Sequence, residues 1–326
     1  MRRRDFISLA GGAAAWPFVS NAQSRDKVYR IGILETVSAS MNSANLDALR
    51  KGLNALGYVE NQNYILEYRS ADGDAAQFPA LANELLLRKV DLIVTRGTPA
   101  ARAAKSATDT LPIVMAAIGE PLGVGVVASL ARPGGNITGL SAFVTELSAK
   151  RIELLREIYP SIARVGLLQN MGNPVSPPQW DATKTAAAAL NLSAEVFDAR
   201  TEDDIAKAFA SANETKVNAI SVGIDALTQA KASMIADLAA RYKIITVYPA
   251  REFVDAGGLV SYGVSYPDLY RRSAVLIDKI FKGTKPGDLP VEQPIKFELV
   301  INLKAAKTLG INIPVPVLDR ADDVIE

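Results

Sequence analysis

Polar residues follow several short apolar runs of this sequence, where their side chains could bind a small molecule. Glu35 and Thr36 follow the first run, and Gly97 and Thr98 follow a later one. Thr98 with Pro99 is typical of a helix N-cap followed by proline at the first helical position. The free N–H groups of such a helix start could hold a carboxylate. The alternative is that Thr98 only caps its helix.

The remaining candidate ligand-binding residues also follow apolar runs or lie near their ends. An amino acid would need an anion site, a carboxylate for its ammonium group and an apolar or aromatic wall. Glu35 and Asp225 are the candidates for the ammonium group. Alternatively, the asparagines are turn residues and Asp225 is the N-cap of a helix over 226–241. The candidate ligand-binding residues other than Glu35, Thr36, Gly97 and Thr98 are Gly119, Asn170, Asn173, Asp225, Tyr248 and Tyr262.

Composition argues against most enzyme chemistry. The 326 residues include no cysteine and no histidine, which excludes cysteine nucleophiles, Ser-His-Asp catalysis and thiolate or imidazole metal sites. The sequence has no phosphate-binding P-loop and no nucleophile elbow, and Gly119–Gly125 lacks dinucleotide-binding spacing. We therefore predict a protein that is not an enzyme, with no catalytic residues, no metal and no cofactor. The alternative is an exported enzyme that uses Glu35 with Asp225.

The first 22 residues have the features of an export signal in the right order. Three arginines precede a weakly apolar run, Ile7–Val19, and Ser20-Asn21-Ala22 is typical of a cleavage site. The pair Arg3-Arg4 resembles the twin-arginine motif, although the general export route stays possible. We expect cleavage near Ala22 and a periplasmic protein without the cysteine that a lipid anchor needs. A basic tail on a cytosolic protein is the alternative.

Net charge and length further limit the class of protein and the number of lobes. Three of the 36 basic and one of the 35 acidic residues lie in the signal segment, so the remainder has a net charge of −1. Such a chain has no electrostatic footprint for nucleic acid. About 300 residues exceed the usual size of one hydrophobic core, which predicts two lobes.

Short apolar runs alternate with amphipathic segments, which predicts an α/β fold with parallel sheets. Asn45–Leu56 has leucines on one helical face and ends at Gly57. Thr201 begins a capping-box pattern, and 267–283 is a further helix. The strand candidates are Val28–Leu34, Leu92–Thr95, Ile113–Ala117, Arg164–Leu168, Ala219–Val222 and Ile244–Val247.

The sequence also repeats itself weakly. Arg30-Ile-Gly-Ile-Leu-Glu recurs 134 residues later as Arg164-Val-Gly-Leu-Leu-Gln, which we interpret as the first strand of each lobe. We predict an N-lobe of residues 28–137 plus 264–288 and a C-lobe of 138–263 plus 289–326. If the chain crosses between the lobes several times, the crossings would form a hinge, with a cleft between the two lobes.

Three longer segments resemble the bacterial ABC-transporter substrate-binding proteins related to the tryptophan/tyrosine-type binding proteins. They are Arg251–Gly263, Phe297–Gly310 and Arg320–Glu326, with Gly97–Ala101 and the twin-arginine start in agreement. The resemblance implies a type I periplasmic-binding-protein fold, in which two Rossmann-like lobes with parallel sheets are joined by a three-crossover hinge.

The resemblance also implies a function and partners. We expect a periplasmic component of an ABC uptake transporter, a monomer that captures a small molecule by hinge closure and delivers it to a permease and an ATPase. An amino acid, and an aromatic one in particular, is the ligand class that the relatives suggest. The alternative is a sensor subunit of the same fold that docks on a receptor. The sequence leaves the ligand and its affinity open.

Overall fold

A computed structural model describes residues 27–326. The predicted signal segment lies outside these residues. Within them the chain forms two β-sheets, one of five strands and one of seven, each packed against helices. No helix in this part of the chain is long and apolar enough to cross a membrane.

The five-stranded sheet is built from residues 29–141. Its strands are all parallel and lie in the order β2-β1-β3-β4-β5. The elements are β1 (Tyr29–Glu35), α1 (Ser43–Ala55), β2 (Tyr64–Ser70), α2 (Phe78–Leu87), β3 (Leu92–Arg96), α3 (Thr98–Ala107), β4 (Ile113–Ile118) and β5 (Ile137–Ser141).

The next part of the chain repeats this arrangement. The strand order β7-β6-β8-β9-β10 matches that of the first sheet, so β1 and β6 occupy equivalent positions, as the sequence repeat predicts. The elements are α4 (Glu146–Ile158), β6 (Arg164–Gln169), α5 (Ser176–Ala189), β7 (Ser193–Asp198), α6 (Glu202–Glu214), β8 (Ala219–Val222), α7 (Ala226–Ala230), α8 (Ala232–Tyr242), β9 (Ile245–Tyr248), α9 (Arg251–Asp255) and β10 (Val260–Val264).

The last sixty residues return to both halves. They form α10 (Tyr266–Phe281), β11 (Phe297–Asn302), α11 (Leu303–Leu309), α12 (Val315–Leu318) and β12 (Asp323–Ile325). Helix α10 packs against α1, whereas β11 pairs antiparallel with β10 and β12 extends the seven-stranded sheet. We call the half around the five-stranded sheet, with α10, the N-lobe and the other half the C-lobe.

The chain passes between the lobes three times, after β5, before α10 and before β11. The crossings are joined by backbone hydrogen bonds: Ser265 N–H donates to the Lys296 carbonyl over 3.2 Å, and Ser141 N–H donates to the Glu292 carbonyl over 2.9 Å. This is the predicted α/β architecture with two lobes and a three-crossover hinge.

The first crossing lies a few residues beyond the boundary that we drew at 137/138. Strand β5 pairs with β4 from Ile137 to Ser141, so these residues belong to the five-stranded sheet. The Pro- and Gly-containing stretch 132–136 lies directly before β5. We therefore place the change of lobe after Ser141.

Local sequence signals explain the elements that position the cleft. Leu46, Leu49 and Leu53 are buried on one face of α1, and Gly57 follows the helix with a φ of +90°, as its C-terminal glycine should. Thr201 makes the predicted capping box at the start of α6 with Asp204. The parallel strands of each sheet end at the same edge of that sheet. The loops that follow them in the N-lobe face the corresponding loops of the C-lobe.

Candidate functional site

A small cavity lies between the lobes at the carboxyl ends of the strands. Its volume of about 30 Å³ leaves room for one or two waters. Both lobes and the hinge contribute to its wall. The N-lobe supplies Thr36, Phe78, Arg96, Gly97, Thr98, Pro99, Ala117, Ile118 and Gly119; the C-lobe supplies Asn173, Val175, Ile224, Asp225, Ala226 and Gln229; Ala142, Val144 and Tyr266 lie at the crossings.

A wider groove of about 610 Å³ adjoins this cavity and forms its mouth. The two share four wall residues, which are Phe78, Pro99, Asn173 and Asp225. Arg102 and Ser106 of α3 line the N-lobe side of the groove. The groove therefore connects the cavity to solvent on the α3 side.

Most of the candidates from the sequence lie together at this cavity. Thr36, Gly97, Thr98, Gly119, Asn173 and Asp225 are in its wall. Asn170 lines the mouth groove, and its side chain accepts a hydrogen bond from the Gly172 N–H in a local turn. Glu35, Tyr248 and Tyr262 are not in either wall.

The start of α3 faces the cavity, but its cap differs from the expected one. Gly97 with a φ of +84° is the N-cap, and Thr98 is the first helical residue, so the assignment of Thr98 as N-cap was wrong by one position. The reason is that Gly97 adopts a backbone conformation open mainly to glycine, and this turns the chain one residue earlier. The Thr98 hydroxyl instead accepts a hydrogen bond from the Gly119 N–H over 3.3 Å.

Thr36 adds a free polar group on the same side. Its side chain is buried, and its hydroxyl has no hydrogen-bond partner among the described residues. Buried hydroxyls are normally paired. The methyl group of Thr36 lies 3.6 Å from the position of a Cβ on Gly97, so this side chain lies beside the start of α3.

Asp225 provides the carboxylate of the opposite wall. It caps α7: one oxygen accepts from the Leu227 N–H over 3.1 Å, and the other accepts from the Asn173 side-chain amide over 2.9 Å. The expected capping role is therefore present, although the predicted helix over 226–241 is interrupted between α7 and α8. Burial raises the pKa of Asp225, while the bonds from Asn173 and Leu227 oppose that rise.

Glu35 is fully buried behind the cavity. Its carboxyl group accepts hydrogen bonds from the Tyr270 hydroxyl and, over 3.1 Å, from the Thr36 N–H. Burial raises the pKa of Glu35 to about 7, although the nearby charge of Arg96 opposes this rise. The side chain therefore joins β1 to α10 inside the N-lobe.

The two tyrosine candidates have other surroundings. Tyr248 is fully buried and stacks on Phe253 with 5.2 Å between ring centroids. The Tyr262 carbonyl accepts a hydrogen bond from the Arg151 guanidinium over 2.9 Å, and Arg151 also donates to the Val144 carbonyl over 3.5 Å. Arg151 thus ties β10 to the first crossing, and its burial lowers its pKa to about 10.

A charged cluster at the cavity was not found from the sequence. The Arg96 guanidinium donates to Glu252 over 2.6 Å and to Asn42 over 3.3 Å, and it packs on the Tyr266 ring with 4.3 Å to the ring centroid. Glu252 also accepts from Asn45 over 2.7 Å. Arg96 ends an apolar strand and Glu252 lies in the family-like segment, and these were the only signals for either residue.

The site does not have the arrangement of a metal centre. Within residues 27–326, no group of three or more acidic side chains could hold a metal ion. The cavity instead combines one carboxylate, the Arg96 guanidinium, one helix start and a mostly apolar wall. Such a wall with few convergent polar groups is typical of small-molecule binding sites.

Comparison with known proteins gives a consistent result. Residues 30–325 match the family described as ABC transporter substrate binding protein. A curated relative, a tyrosine-binding protein of Clostridioides difficile strain R20291, is 27% identical over 277 residues, which are 84% of this chain and 79% of the relative.

Solved structures also share the fold. A conserved domain protein of Vibrio cholerae is 30% identical with a TM-score of 0.85, covering 91% of this chain and all of that one. An ABC domain from Streptococcus pneumonia in complex with L-Trp is 31% identical with a TM-score of 0.84, covering 92% of this chain and all of that one. The fold is that of the type I periplasmic binding proteins, and the chain belongs to the ABC transporter substrate-binding protein family.

Proposed function

We propose that this protein captures an amino acid between its lobes by hinge closure and delivers it to an ABC importer. The observation that carries the proposal is the pairing, across one cavity, of the Asp225 carboxylate with the free start of α3. An α-amino acid has two charged groups of opposite sign a few bonds apart. The two walls offer complementary groups for both.

The ammonium group would bind at Asp225. Both oxygens of this carboxylate are held by neighbours in the C-lobe, so it is oriented before a ligand arrives, and each oxygen keeps further acceptor capacity. Glu35, the other candidate for this role, is enclosed by Tyr270 and Thr36. We therefore assign the ammonium site to Asp225.

The carboxylate group would bind at the N-lobe wall. The start of α3 has N–H groups without helical partners and the positive end of the helix dipole. The unpartnered hydroxyl of Thr36, which is also in the cavity wall, can donate a further hydrogen bond to the ligand. We retain Gly97, Thr98 and Gly119 as residues that shape this end, and Asn173 as the residue that orients Asp225.

The ligand side chain would occupy the apolar part of the wall and the mouth. Phe78 and Tyr266 supply aromatic rings, and Ile118, Val175 and Ile224 supply aliphatic surface. The cavity as it stands has room for only one or two waters, so the lobes must separate to admit an amino acid. An aromatic amino acid fits this wall chemically, and the relatives named for tyrosine and complexed with L-Trp support that choice.

The family supports a proposed setting for this function. We propose a monomeric, periplasmic protein without catalytic activity, exported by the signal in residues 1–22 and cleaved near Ala22. Its partners would be an inner-membrane permease and an ATPase. A shift from open to closed lobes on binding would present the surface that the permease recognises.

Calorimetry of the purified mature chain against the twenty L-amino acids tests the proposal. We expect micromolar or tighter binding of at least one aromatic amino acid, with a rise in melting temperature that depends on its concentration. Binding of a sugar or a polyol in a parallel panel, with no amino acid bound, would refute the assignment of the ligand class.

A further inference from the structure

A carboxylate of the C-lobe is held by donors of the N-lobe. Glu252 lies in α9 of the C-lobe, and its oxygens accept from Arg96 over 2.6 Å and from Asn45 over 2.7 Å, both in the N-lobe. Gln229 of the C-lobe donates the third bond, over 3.3 Å. Opening of the lobes would break the first two bonds and leave the third.

We propose that Glu252 is the closing residue of this binding protein, which stabilises the closed lobes through direct bonds to Arg96 and Asn45 and thereby sets the ligand affinity. The bonds join the two lobes without passing through the ligand. They favour closure whether or not the cavity is filled. The affinity part of this inference rests on the proposed function, whereas the closure part does not.

The balance between charge attraction and desolvation favours a net gain on closure. A buried ion pair can fail to stabilise a structure when both charges lose water to form it. Here the N-lobe itself already surrounds Arg96, through Asn42 and the Tyr266 ring, and the side chain of Glu252 keeps 30% of its surface exposed. Burial opposes the charge of Glu252, but the attraction of Arg96 and the bonds from Arg96, Asn45 and Gln229 outweigh it and hold the pKa of Glu252 below its usual value. Closure forms two hydrogen bonds between the lobes, one of them between opposite charges.

The position of Glu252 separates its role from ligand contact. Glu252 and Asn45 line an open groove on the other side of Gln229 and Tyr266, and neither is in the wall of the cavity. Arg96 is in that wall, so a change at Arg96 would alter both closure and ligand contact. Variants of Glu252 and Asn45 are the cleaner test.

Distances between two spin labels measure closure directly. The chain has no cysteine, so labels can be placed at Leu87→Cys in α2 and Asp181→Cys in α5, both highly exposed and on opposite lobes. In the parent chain without added ligand, we expect a population at the short, closed distance. Glu252→Gln should shift the distribution to longer distances, and Glu252→Ala should shift it further.

The matched control is Asp255→Asn. Asp255 lies in the same helix and pairs with Arg251 inside the C-lobe, so its loss removes a carboxylate without removing a bond between the lobes. We expect the distance distribution of this variant to equal that of the parent. An unchanged distribution in both Glu252 variants, or an equal shift in the control, would overturn the inference.

Asn45→Ala provides a second variant in case the Glu252 variants fold poorly. It removes a neutral donor from the N-lobe, and combined with Glu252→Gln it forms a double-mutant cycle. The two changes should be strongly non-additive if the residues act as one contact, and additive shifts would contradict that.

Affinity supplies the last comparison. For the amino acid that binds tightest to the parent, Glu252→Gln should weaken binding roughly tenfold, since the lobes close again around the ligand and the bonds of Glu252 stabilise that closed, liganded state. If no amino acid binds the parent, the proposed function fails while the label distances still test closure. If binding is intact but label distances do not respond to Glu252, only the closing role fails.

Discussion

Gly119 of the N-lobe lies so close to Val175 of the C-lobe that a Cβ on Gly119 would be 2.7 Å from the Val175 Cγ1. A real Cβ is essentially never found that near another heavy atom, so a larger residue at Gly119 would hold the lobes apart. The contact joins the N-lobe and C-lobe walls of the cavity and exists only while they are closed.

Gly119→Ala should therefore weaken ligand binding with little effect on folding. The added methyl group opposes closure, which lowers the closed population, while each lobe keeps its own core. Titration calorimetry should give a Kd raised by roughly tenfold. Gly123→Ala is the control, because a Cβ there meets nothing nearer than 3.6 Å. Combining Gly119→Ala with Val175→Ala should restore part of the affinity. If Gly119→Ala and the double variant both bind the ligand as tightly as the parent, the clash with Val175 does not limit closure.

Asp225→Asn should lose most of the affinity for amino acids. The change removes the negative charge proposed to face the ammonium group, and loss of one partner of a buried charge pair typically weakens binding by about 2–5 kcal/mol. Asp237→Asn, on the exposed side of α8, is the control for charge alone. Affinity equal to that of the parent would exclude Asp225 as the ammonium site.

Glu35 should make the stability of the protein depend on pH. Burial raises its pKa from 4.5 to about 7, so between these values the folded chain holds a proton that the unfolded chain releases. The free energy of unfolding should then fall as pH rises from 4.5 to 7. Melting temperatures across this range should fall less steeply in Glu35→Gln than in the parent. If the melting temperatures of the two proteins change equally with pH, the pKa of Glu35 in the folded chain is not raised into this range.

Thr201→Ala should destabilise the C-lobe modestly. The Thr201 hydroxyl accepts from the Asp204 N–H over 3.2 Å, and loss of such a cap typically costs about 1 kcal/mol. Urea unfolding should show a lower midpoint with an unchanged slope. Thr308→Ala is the comparison, since its hydroxyl only donates to the Lys304 carbonyl within α11. Equal effects of the two changes would argue against the capping role.

Much of the fold could be predicted because its signals are local. The apolar run Ile113–Ala117 lies in β4, and the leucines of 45–56 form the buried face of α1. The repeat of Arg30–Glu35 in Arg164–Gln169 marks equivalent strands because each is the first of five parallel strands that pair in the same order. The rule that ligands lie at the carboxyl ends of strands then brought Thr36, Gly97 and Asp225 to one place.

The rest of the site depends on distant contacts that local patterns do not contain. Arg96 and Glu252 are 156 residues apart and meet only because the lobes close. Tyr248 follows a strand as Asp225 does, yet it packs on Phe253 inside its lobe, and the sequence shows no difference between these outcomes. The start of α3 was misplaced by one residue because it depends on the backbone conformation of Gly97.

The return of α10 to the N-lobe has a consequence for the order in which the chain can fold during synthesis. Helix α10 covers α1, although Tyr266 lies 211 positions after Ala55 in the sequence, so the N-lobe core cannot be enclosed until the ribosome has made residue 281. The C-lobe is completed later still, because β11 and β12 lie at the very end of the chain. Neither lobe can therefore be completed early, and an exposed, unfinished chain is the expected state of this protein through most of its translation.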